Sequence, residues 1–229
     1  DDLVRPFAGL RPAPHRAADI AAPPYDVVYT DEARAIAAGK PFCFFHVSRA
    51  EIDLPPETDP YADVVYETAA KNLHSFEESG ALVRDPEPCF YVYRITAGGQ
   101  SQTGIAVSAS VQAYNENRIK KHELTRPAKE DDRVRQIEAV NSITGPVFTV
   151  HRANAELAML FDDITAGVPD AVADWIGGAL HELWVVSDAA KVDRIGGLIN
   201  SLDALYIADG HHRSAAGSRI AATRAAANP

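Results

Sequence analysis

The sequence predicts a mixed α/β or α+β fold. Short apolar runs rich in aromatic and β-branched residues, which are typical of strands, alternate along the chain with segments whose apolar residues recur at helical spacing. With 229 residues, of which 46% are hydrophobic, the chain can bury a substantial core. Internal repeats are not visible in the sequence.

The first 30 residues predict an extended arm lying on the core. Proline stands at positions 6, 12, 14, 23 and 24. Because proline lacks an amide hydrogen and restricts the residue before it, this density disfavours helix. After the arm, Thr30 followed by "DEARAIAAG" predicts a capped short helix that ends at Gly39.

Three further elements are predicted before residue 81. The apolar run "PFCFFHVS" (41–48) predicts a buried strand, and "EIDLPPETDP" (51–60) predicts a loop. From Tyr61 to Ser79 apolar residues recur at helical spacing, and Gly80 follows where a left-handed cap is favoured. This last segment predicts a long amphipathic helix.

Strands and helices alternate in the rest of the chain. "CFYVYRI" (89–95) and "TGIAVSASVQAY" (103–114) flank a glycine turn and predict a hairpin. Pro127 and the acidic residues after it open a predicted helix over 128–140, which ends at Asn141. The remaining predicted elements are a strand at 146–151, a helix from about Ala153, a strand at 182–187, a helix at 188–200, a strand at 204–209 and a final helix.

The composition argues against several classes of partner. The net charge is -10, so general attraction to nucleic acid or to an anionic membrane is not expected. No apolar run reaches the ~18 residues that a membrane span requires. Cys43 and Cys89 each lie in an apolar run, where a buried free thiol is the commoner state. These features predict a cytoplasmic protein without nucleic-acid or membrane partners and leave its oligomeric state open.

Two segments are basic within this acidic chain. Between Arg118 and Arg135 seven basic residues stand against four acidic ones, and three arginines follow Asp209. Positive segments of this kind suit a compact anion such as a phosphate, which an acidic surface would otherwise repel.

The second basic segment contains a predicted strand-to-helix turn, "DGHHR" (209–213). Gly210 permits the tight turn, and the first helical amides, which lack partners within the helix, would face an anion. Arg213 could close on that anion, while His211 and His212 point roughly 100° apart on a helix, so we expect one to contact a ligand and the other to pack. Asp209 favours a phosphate bound together with Mg²⁺. A solvated turn that only starts a helix is the alternative.

Two other groups of polar residues leave alternatives open. Glu123 stands among basic and histidine residues at positions 120, 121, 122 and 126, and such a carboxylate can act as a general base if it lines a cleft. A solvated charged loop explains the same pattern. Tyr25 and Asp26 follow a rigid Pro-Pro step, which either aims them into a cleft or forms a turn with a buried tyrosine.

These motifs resemble those of known families. "DGHHR" resembles the nucleotide-binding turn of the ParB/sulfiredoxin superfamily, and specifically of the ADP-dependent free-serine kinases, which pair it with an upstream "HE", here His122-Glu123. In those kinases the pair lies a few dozen residues upstream, whereas here Glu123 lies 86 positions before Asp209, so we expect a large insertion. From Arg5 to Arg213 the chain is also similar to a bacterial and archaeal family of unknown function, often described as serine-kinase-like. The matching motifs, in order, are "RPFAGLRP", "APPYDVV", "YVYRI", "IKKHELT", "DDR" and "ADGHHR".

The resemblance implies a role for each matching residue. Glu123, with His122, would be catalytic, Glu123 taking the proton of the substrate hydroxyl. Asp209 would lie at Mg²⁺. The nucleotide phosphates would be bound by Lys121, Gly210, His211, His212 and Arg213.

The resemblance also implies an organisation of the chain. A ParB/sulfiredoxin-like nucleotide-binding part would occupy residues 116–229, after an N-terminal α+β part with the proline-rich arm at residues 1–115. Because the motif-bearing turn lies so near the last residue, we expect the chain to be a fragment of a longer one.

The resulting hypothesis is a Mg²⁺-dependent kinase that transfers a phosphoryl group from ADP or ATP to a small hydroxylated metabolite, with free L-serine as the best candidate by resemblance. Sulfinic acid repair is not expected, because sulfiredoxin has its nucleophilic cysteine where this chain has His211. DNA partitioning is not expected either, because no basic recognition helix is visible. The alternative hypothesis is a nucleotide-binding regulatory or switch module that transfers nothing to a small molecule.

Overall fold

The computed structural model describes residues 2–175 and 178–228. The fold is α+β, as predicted. The chain forms two compact units, each of which gathers three separate stretches of sequence. We call residues 1–18, 83–122 and 148–209 the sheet unit, and residues 19–82, 123–147 and 210–229 the helical unit. The division predicted between residues 115 and 116 stays a prediction.

Strands characterise the sheet unit. In chain order, the strands of the described residues are β1 (Val4–Arg5), β2 (Leu10–Pro12), β3 (Leu82–Arg84), β4 (Phe90–Ala97), β5 (Gln100–Ala106), β6 (Ser108–Ala109), β7 (Ile119–Lys120), β8 (Phe148–Val150), β9 (Ala171–Trp175), β10 (Ala179–Val186) and β11 (Leu205–Asp209). The largest sheet is antiparallel with the order β5-β4-β10-β9, and Phe90 and Val92 of β4 are fully buried. In a second sheet, β11 lies between β7, to which it is parallel, and β8, to which it is antiparallel.

Helices characterise the helical unit. In chain order, the helices of the described residues are α1 (Ala17–Ile20), α2 (Thr30–Ala37), α3 (Phe45–Ser48), α4 (Asp63–Glu78), α5 (Val111–Asn115), α6 (Pro127–Val140), α7 (Ala155–Thr165), α8 (Ala189–Asn200) and α9 (His211–Ala227), with a 3-10 turn at Ala50–Asp53. The sheet unit contains α5, α7 and α8, whereas α2, α3, α4, α6 and α9 belong to the helical unit.

Helices α4, α6 and α9 form the framework of the helical unit. Contacts join α4 to α6 and α6 to α9. The buried side chains of α4 include Ala69, Leu73 and Phe76, and the chain leaves the helix at Gly80 with a positive φ of 72°, which confirms the predicted helix and its end. Helix α6 starts at Pro127, where a missing amide hydrogen removes no helical bond.

The predicted strand at 41–48 is wrong. This segment forms a turn followed by α3, in which the backbone bonds locally, for example from Arg49 N to Phe45 O at 2.8 Å. The buried residues Cys43, Phe45 and Val47 alternate as they would in a strand. A short apolar run does not distinguish a strand from a buried helical turn, so its length and periodicity alone misled the prediction.

The predicted second strand of the hairpin is too long. Strand β5 pairs with β4 as expected but ends at Ala106. Ser110 then starts α5, its Oγ accepting a hydrogen bond from Ala113 N at 3.1 Å. This local cap prevails over the strand propensity of the apolar residues around it. Strand β9, which pairs with β10, was not expected from the sequence.

The cysteines and the helices bear on two predictions from the composition. Cys43 and Cys89 are buried free thiols, as expected. Within residues 2–175 and 178–228, no helix is long and apolar enough to cross a bilayer.

Candidate anion-binding site

The turn before α9 has the strand-to-helix geometry that the sequence predicts. Gly210 has φ 97° and ψ 30°, which is a left-handed conformation, and the first helical bond runs from Ser214 N to Gly210 O at 2.9 Å. A Cβ at this position would lie 3.2 Å from Arg213 Cζ and 3.3 Å from Val147 Cα. Both the backbone angle and the lack of space therefore require glycine here.

Arg213 folds back over the start of its own helix. Its Nη1 donates a hydrogen bond to the carbonyl oxygen of Pro146, and its Cδ lies 3.2 Å from where a Cβ of Gly145 would be. Gly145 and Gly210 thus make room for the arginine from two sides. The guanidinium is held beside the first turn of α9, where it adds a full positive charge to the partial charge of the helix terminus.

His211 lies next to Glu123. The exposed fraction of the histidine side chain is only 4%, whereas that of Glu123 is 57%, and His211 Nδ1 is 3.6 Å from Glu123 Oε2. This distance is longer than that of a normal hydrogen bond, and the contact is an ion pair only when the imidazole is protonated. The structure therefore brings the candidate base to the turn, with its carboxylate open to solvent.

His212 connects the turn to the start of α6. Its Nε2 accepts a hydrogen bond from the backbone N–H of Arg126, the residue before Pro127, at 3.1 Å. An accepting Nε2 leaves Nδ1 as the protonated nitrogen of the neutral ring. One nitrogen of His212 is thus engaged by the protein, and which of the two histidines contacts a ligand stays a prediction.

Three other residues predicted for the site belong to the sheet unit, and their roles stay predictions. Lys121 Nζ lies 3.9 Å from the centre of the Tyr114 ring, a cation–π contact. His122 is exposed and directly precedes Glu123 in the chain. Asp209 is the exposed last residue of β11.

A further group of the helical unit joins α4 and α6. The Arg133 side chain donates from Nε and Nη2 to Asp132 Oδ2, at 2.9 and 2.6 Å, and the Tyr66 hydroxyl donates to Asp132 Oδ1 at 2.7 Å. The Arg133 guanidinium lies 4.1 Å from the centre of the Tyr25 ring. We call Tyr25, Arg133, Asp132 and Tyr66 the tyrosine–arginine group.

The positive charges of Arg133 and Arg213 affect the pKa of the Tyr25 phenol. Burial raises this pKa, and the charges of Arg133 and Arg213 act in the opposite direction. Because the net shift is upward, the phenol stays protonated at neutral pH and can donate a hydrogen bond. Arg49 fixes the backbone here by donating from Nη1 to Tyr25 O at 3.0 Å.

The acidic residues of the first turns of α6 face Arg219. Its Nη1 lies 3.3 Å from Glu130 Oε2 and its Nη2 2.8 Å from Asp131 Oδ1. These two ion pairs link α9 to α6 and partly neutralise both carboxylates.

Comparison with known proteins shows the family of the chain. Residues 4–229 match the family described as "Protein of unknown function (DUF1015)". The chain belongs to this family. Neither the curated proteins nor the solved structures with which it was compared include a match. Membership of a family of unknown function agrees with the sequence analysis, and the relation to serine kinases stays a prediction.

The surroundings of Asp209 bear on the predicted Mg²⁺ site. Within the described residues, no group of three or more His, Cys, Asp or Glu side chains is arranged to hold a metal ion. Mg²⁺ often takes only one or two protein carboxylates together with substrate phosphates and water. The exposed carboxylate of Asp209 fits that kind of binding.

Sequence reasoning did not reveal the stacking of Tyr25 on Arg133 in this family member. Signals for each residue exist, since Tyr25 follows a rigid Pro-Pro step and Arg133 lies in the first basic segment. The two positions are far apart in the chain, and no local pattern predicts which of several basic residues a distant tyrosine will meet. The structure identifies Arg133 as that residue.

Proposed function

We propose that this protein is a small-molecule kinase that uses ADP or ATP to phosphorylate the hydroxyl of a small metabolite, with free L-serine as the first candidate. The observation that carries the proposal is the pairing of Glu123 with the start of α9, where Oε2 lies 3.6 Å from the buried His211. The proposed base Glu123, the start of α9 and Arg213 thus belong to one part of the helical unit.

The proposed reaction is a direct phosphoryl transfer. Glu123 takes the proton of the acceptor hydroxyl while the hydroxyl oxygen forms a bond to the terminal phosphorus of the nucleotide. The bond between that phosphorus and its bridging oxygen breaks, and the shortened nucleotide leaves with the electron pair. Such a transfer asks the protein mainly for positioning and charge neutralisation.

Each remaining residue of the turn has a part in this proposal. The first amides of α9 and the Arg213 guanidinium bind the transferring phosphate, and Gly210 allows that close approach. His211 positions the Glu123 carboxylate. When bound, Mg²⁺ would supply further neutralisation of the phosphates, and Asp209, which directly precedes Gly210 in the chain, is its proposed protein ligand. The turn from β11 into α9 also supports our assignment of residues 116–229 to a ParB/sulfiredoxin-like core.

The decisive variant is Glu123→Gln, which removes the base but keeps the size of the side chain. We expect kcat to fall roughly 10²–10⁴-fold while the Kd of the nucleotide changes little. The measurement is phosphorus NMR of the full-length protein with ADP or ATP, Mg²⁺ and a panel of hydroxylated amino acids and sugars, with calorimetry for nucleotide binding. Glu138→Gln is the matched control, because Glu138 is an exposed glutamate of the same unit.

The outcomes separate the proposal from its alternative. Unchanged turnover by Glu123→Gln would remove Glu123 as the base. Nucleotide binding without any phosphorylated product in the wild type would favour the regulatory or switch module. The hydrogen bonds that Arg126 N–H donates to His212 and that Arg213 donates to Pro146 O support that second candidate, since they couple the turn to the start of α6 and to a neighbouring loop.

A further inference from the structure

Two hydrogen-bond donors of the tyrosine–arginine group have no partner within the part of the chain that the structure describes. Arg133 uses Nε and Nη2 to bind Asp132, and its Nη1 has no hydrogen-bond partner among residues 2–175 and 178–228. The Tyr25 hydroxyl likewise has none within those residues, although the ring is half-buried under the guanidinium. Both donors belong to side chains that lie in contact.

The guanidinium of Arg133 is held in a fixed orientation. The Tyr25 ring covers it at 4.1 Å, Asp132 binds it from the edge, and Tyr66 fixes Asp132 in turn. The exposed fraction of the Arg133 side chain is only 13%. A group that is already immobilised loses little conformational entropy when it binds a ligand, so this arginine is prepared for one.

The charge of the group indicates which anion suits it. Asp132 offsets much of the Arg133 charge, and the Tyr25 phenol is neutral because burial raises its pKa. One partly neutralised guanidinium with one neutral donor suits a singly charged, planar carboxylate better than a polyphosphate. The phosphate-binding features, the Arg213 guanidinium and the amides of α9, belong instead to the turn at Gly210.

We propose that Arg133 Nη1 and the Tyr25 hydroxyl bind the carboxylate of the acceptor, so that the acceptor is a hydroxylated carboxylic acid. This inference rests on the proposed kinase function and adds the substrate class and the residues that recognise it. Arg133 and Tyr25 are then substrate-binding residues, and Asp132 and Tyr66 position Arg133.

The test compares acids with close analogues that lack the carboxylate. The probes are L-serine against L-serinamide and D-glycerate against glycerol, titrated by calorimetry into the full-length protein with Mg²⁺, with and without a methylene-bridged ATP analogue. For the wild type we expect at least one acid to bind more tightly than its neutral partner. Arg133→Gln should weaken binding of that acid roughly 10–150-fold, as expected for the loss of a charged hydrogen bond, and leave the neutral analogue unchanged.

Arg135→Gln is the matched control. Arg135 belongs to the same helix and stacks on Tyr66 at 4.2 Å, but its guanidinium binds Tyr61 O and Asp63. Its loss should leave acid binding within about twofold of the wild type. Tyr25→Phe serves as a second variant, because it removes only the hydroxyl and keeps the ring that covers Arg133; it should weaken binding of the acid less than Arg133→Gln does.

The outcomes distinguish this inference from the proposed function. Selective binding of the acid that depends on Arg133, without any phosphorylated product, would support the carboxylate site and remove the kinase. Equal binding of acid and neutral analogue, or no binding of either acid, would overturn the carboxylate site. The same holds if Arg133→Gln and Tyr25→Phe weaken nucleotide binding and not acid binding, since that result would assign the two donors to phosphate.

Discussion

Arginine, aspartate and tyrosine side chains form a hydrogen-bonded group in each of the two units. In the sheet unit, Arg11 Nε lies 3.0 and 2.9 Å from the two oxygens of Asp85, and the Tyr91 hydroxyl donates to the same carboxylate at 2.8 Å. Gly9 N also donates to the Tyr91 oxygen, at 2.7 Å. In the helical unit, the corresponding residues are Arg133, Asp132 and Tyr66, and a second tyrosine, Tyr25, covers the guanidinium.

The two groups differ in how their tyrosine hydroxyls are used. The hydroxyl of Tyr91, whose exposed fraction is 3%, both donates to Asp85 and accepts from the backbone of Gly9, so it joins the N-terminal segment to β4. The Tyr25 hydroxyl has no hydrogen-bond partner among the residues that the structure describes. Similar side-chain chemistry therefore stabilises the fold where the tyrosine hydroxyl is bonded within the protein, as in Tyr91, and is suited to binding where a tyrosine hydroxyl remains open, as in Tyr25.

The largest expected effect on the free energy of unfolding comes from Gly9→Ala in the sheet unit. A Cβ on Gly9 would lie 2.6 Å from Tyr91 Oη and 2.8 Å from Cζ. Since the Tyr91 ring is buried and bonded, it cannot move aside cheaply, and we expect the free energy of unfolding to fall by roughly 2–4 kcal/mol. Urea unfolding followed by circular dichroism measures this change.

Gly104→Ala is the matched control for this variant. Gly104 lies in β5 of the same unit, and a Cβ there would meet no atom within 4 Å. Its free energy of unfolding should change by less than about 0.5 kcal/mol. If Gly9→Ala lowers the free energy of unfolding by less than about 0.5 kcal/mol, the Tyr91 ring can move to make room for the added Cβ.

The contribution of Asp85 to the free energy of unfolding is smaller and depends on pH. Burial raises the pKa of Asp85, but hydrogen bonds from Arg11 and Tyr91 and the charge of Arg11 outweigh it, so the pKa lies below its usual value. The ionised carboxylate then contributes its full stabilisation above pH ~4, and this contribution is lost as the pH falls further. Asp85→Asn should reduce the free energy of unfolding at pH 7 by roughly 1–3 kcal/mol.

The pH profile checks the sign of this prediction. Between pH 5 and pH 2.5, denaturant unfolding should show a steeper loss of stability in the wild type than in Asp85→Asn, because only the wild type must protonate this carboxylate. Parallel curves would contradict the assignment. Asp193→Asn, at an exposed position of α8 in the same unit, controls for the change in net charge.

Local sequence patterns predicted the elements whose structure depends on interactions within a single segment. The 3.6-residue periodicity from Val65 to Phe76 and the glycine after it sufficed for α4, because both signals lie within one segment. The segment at 41–48 could not be assigned in this way, since its buried residues alternate in a helical turn as they would in a strand.

The residues of the candidate site also differ in whether a local sequence pattern predicts them. Gly210 could be predicted because a turn that needs a positive φ leaves a local mark in the sequence. The proximity of Glu123 to His211 was expected only through the resemblance to serine kinases. The stacking of Tyr25 on Arg133 depends on which distant residues the fold brings together, and neither periodicity nor composition encodes that.

The smallest expected effect on stability compares the two groups directly. Tyr66→Phe removes one hydrogen bond, the one to Asp132, and should reduce the free energy of unfolding by about 1 kcal/mol. Tyr91→Phe should cost roughly twice as much, because Gly9 N–H and Asp85 each lose a partner in a buried place. Urea unfolding of both variants side by side measures the difference.

The affinity for acids should be affected more by Tyr66→Phe than by Tyr91→Phe, which is the opposite of the order expected for stability. Tyr66→Phe frees Asp132, which loosens Arg133, so the affinity for the acid that binds the wild type should fall a few-fold, whereas Tyr91→Phe should leave that affinity unchanged in the folded protein. Calorimetry with L-serine and D-glycerate, at denaturant-free conditions where both variants are folded, provides the measurement. If Tyr66→Phe costs as much stability as Tyr91→Phe and leaves acid binding unaltered, the helical-unit group is structural, like its counterpart in the sheet unit.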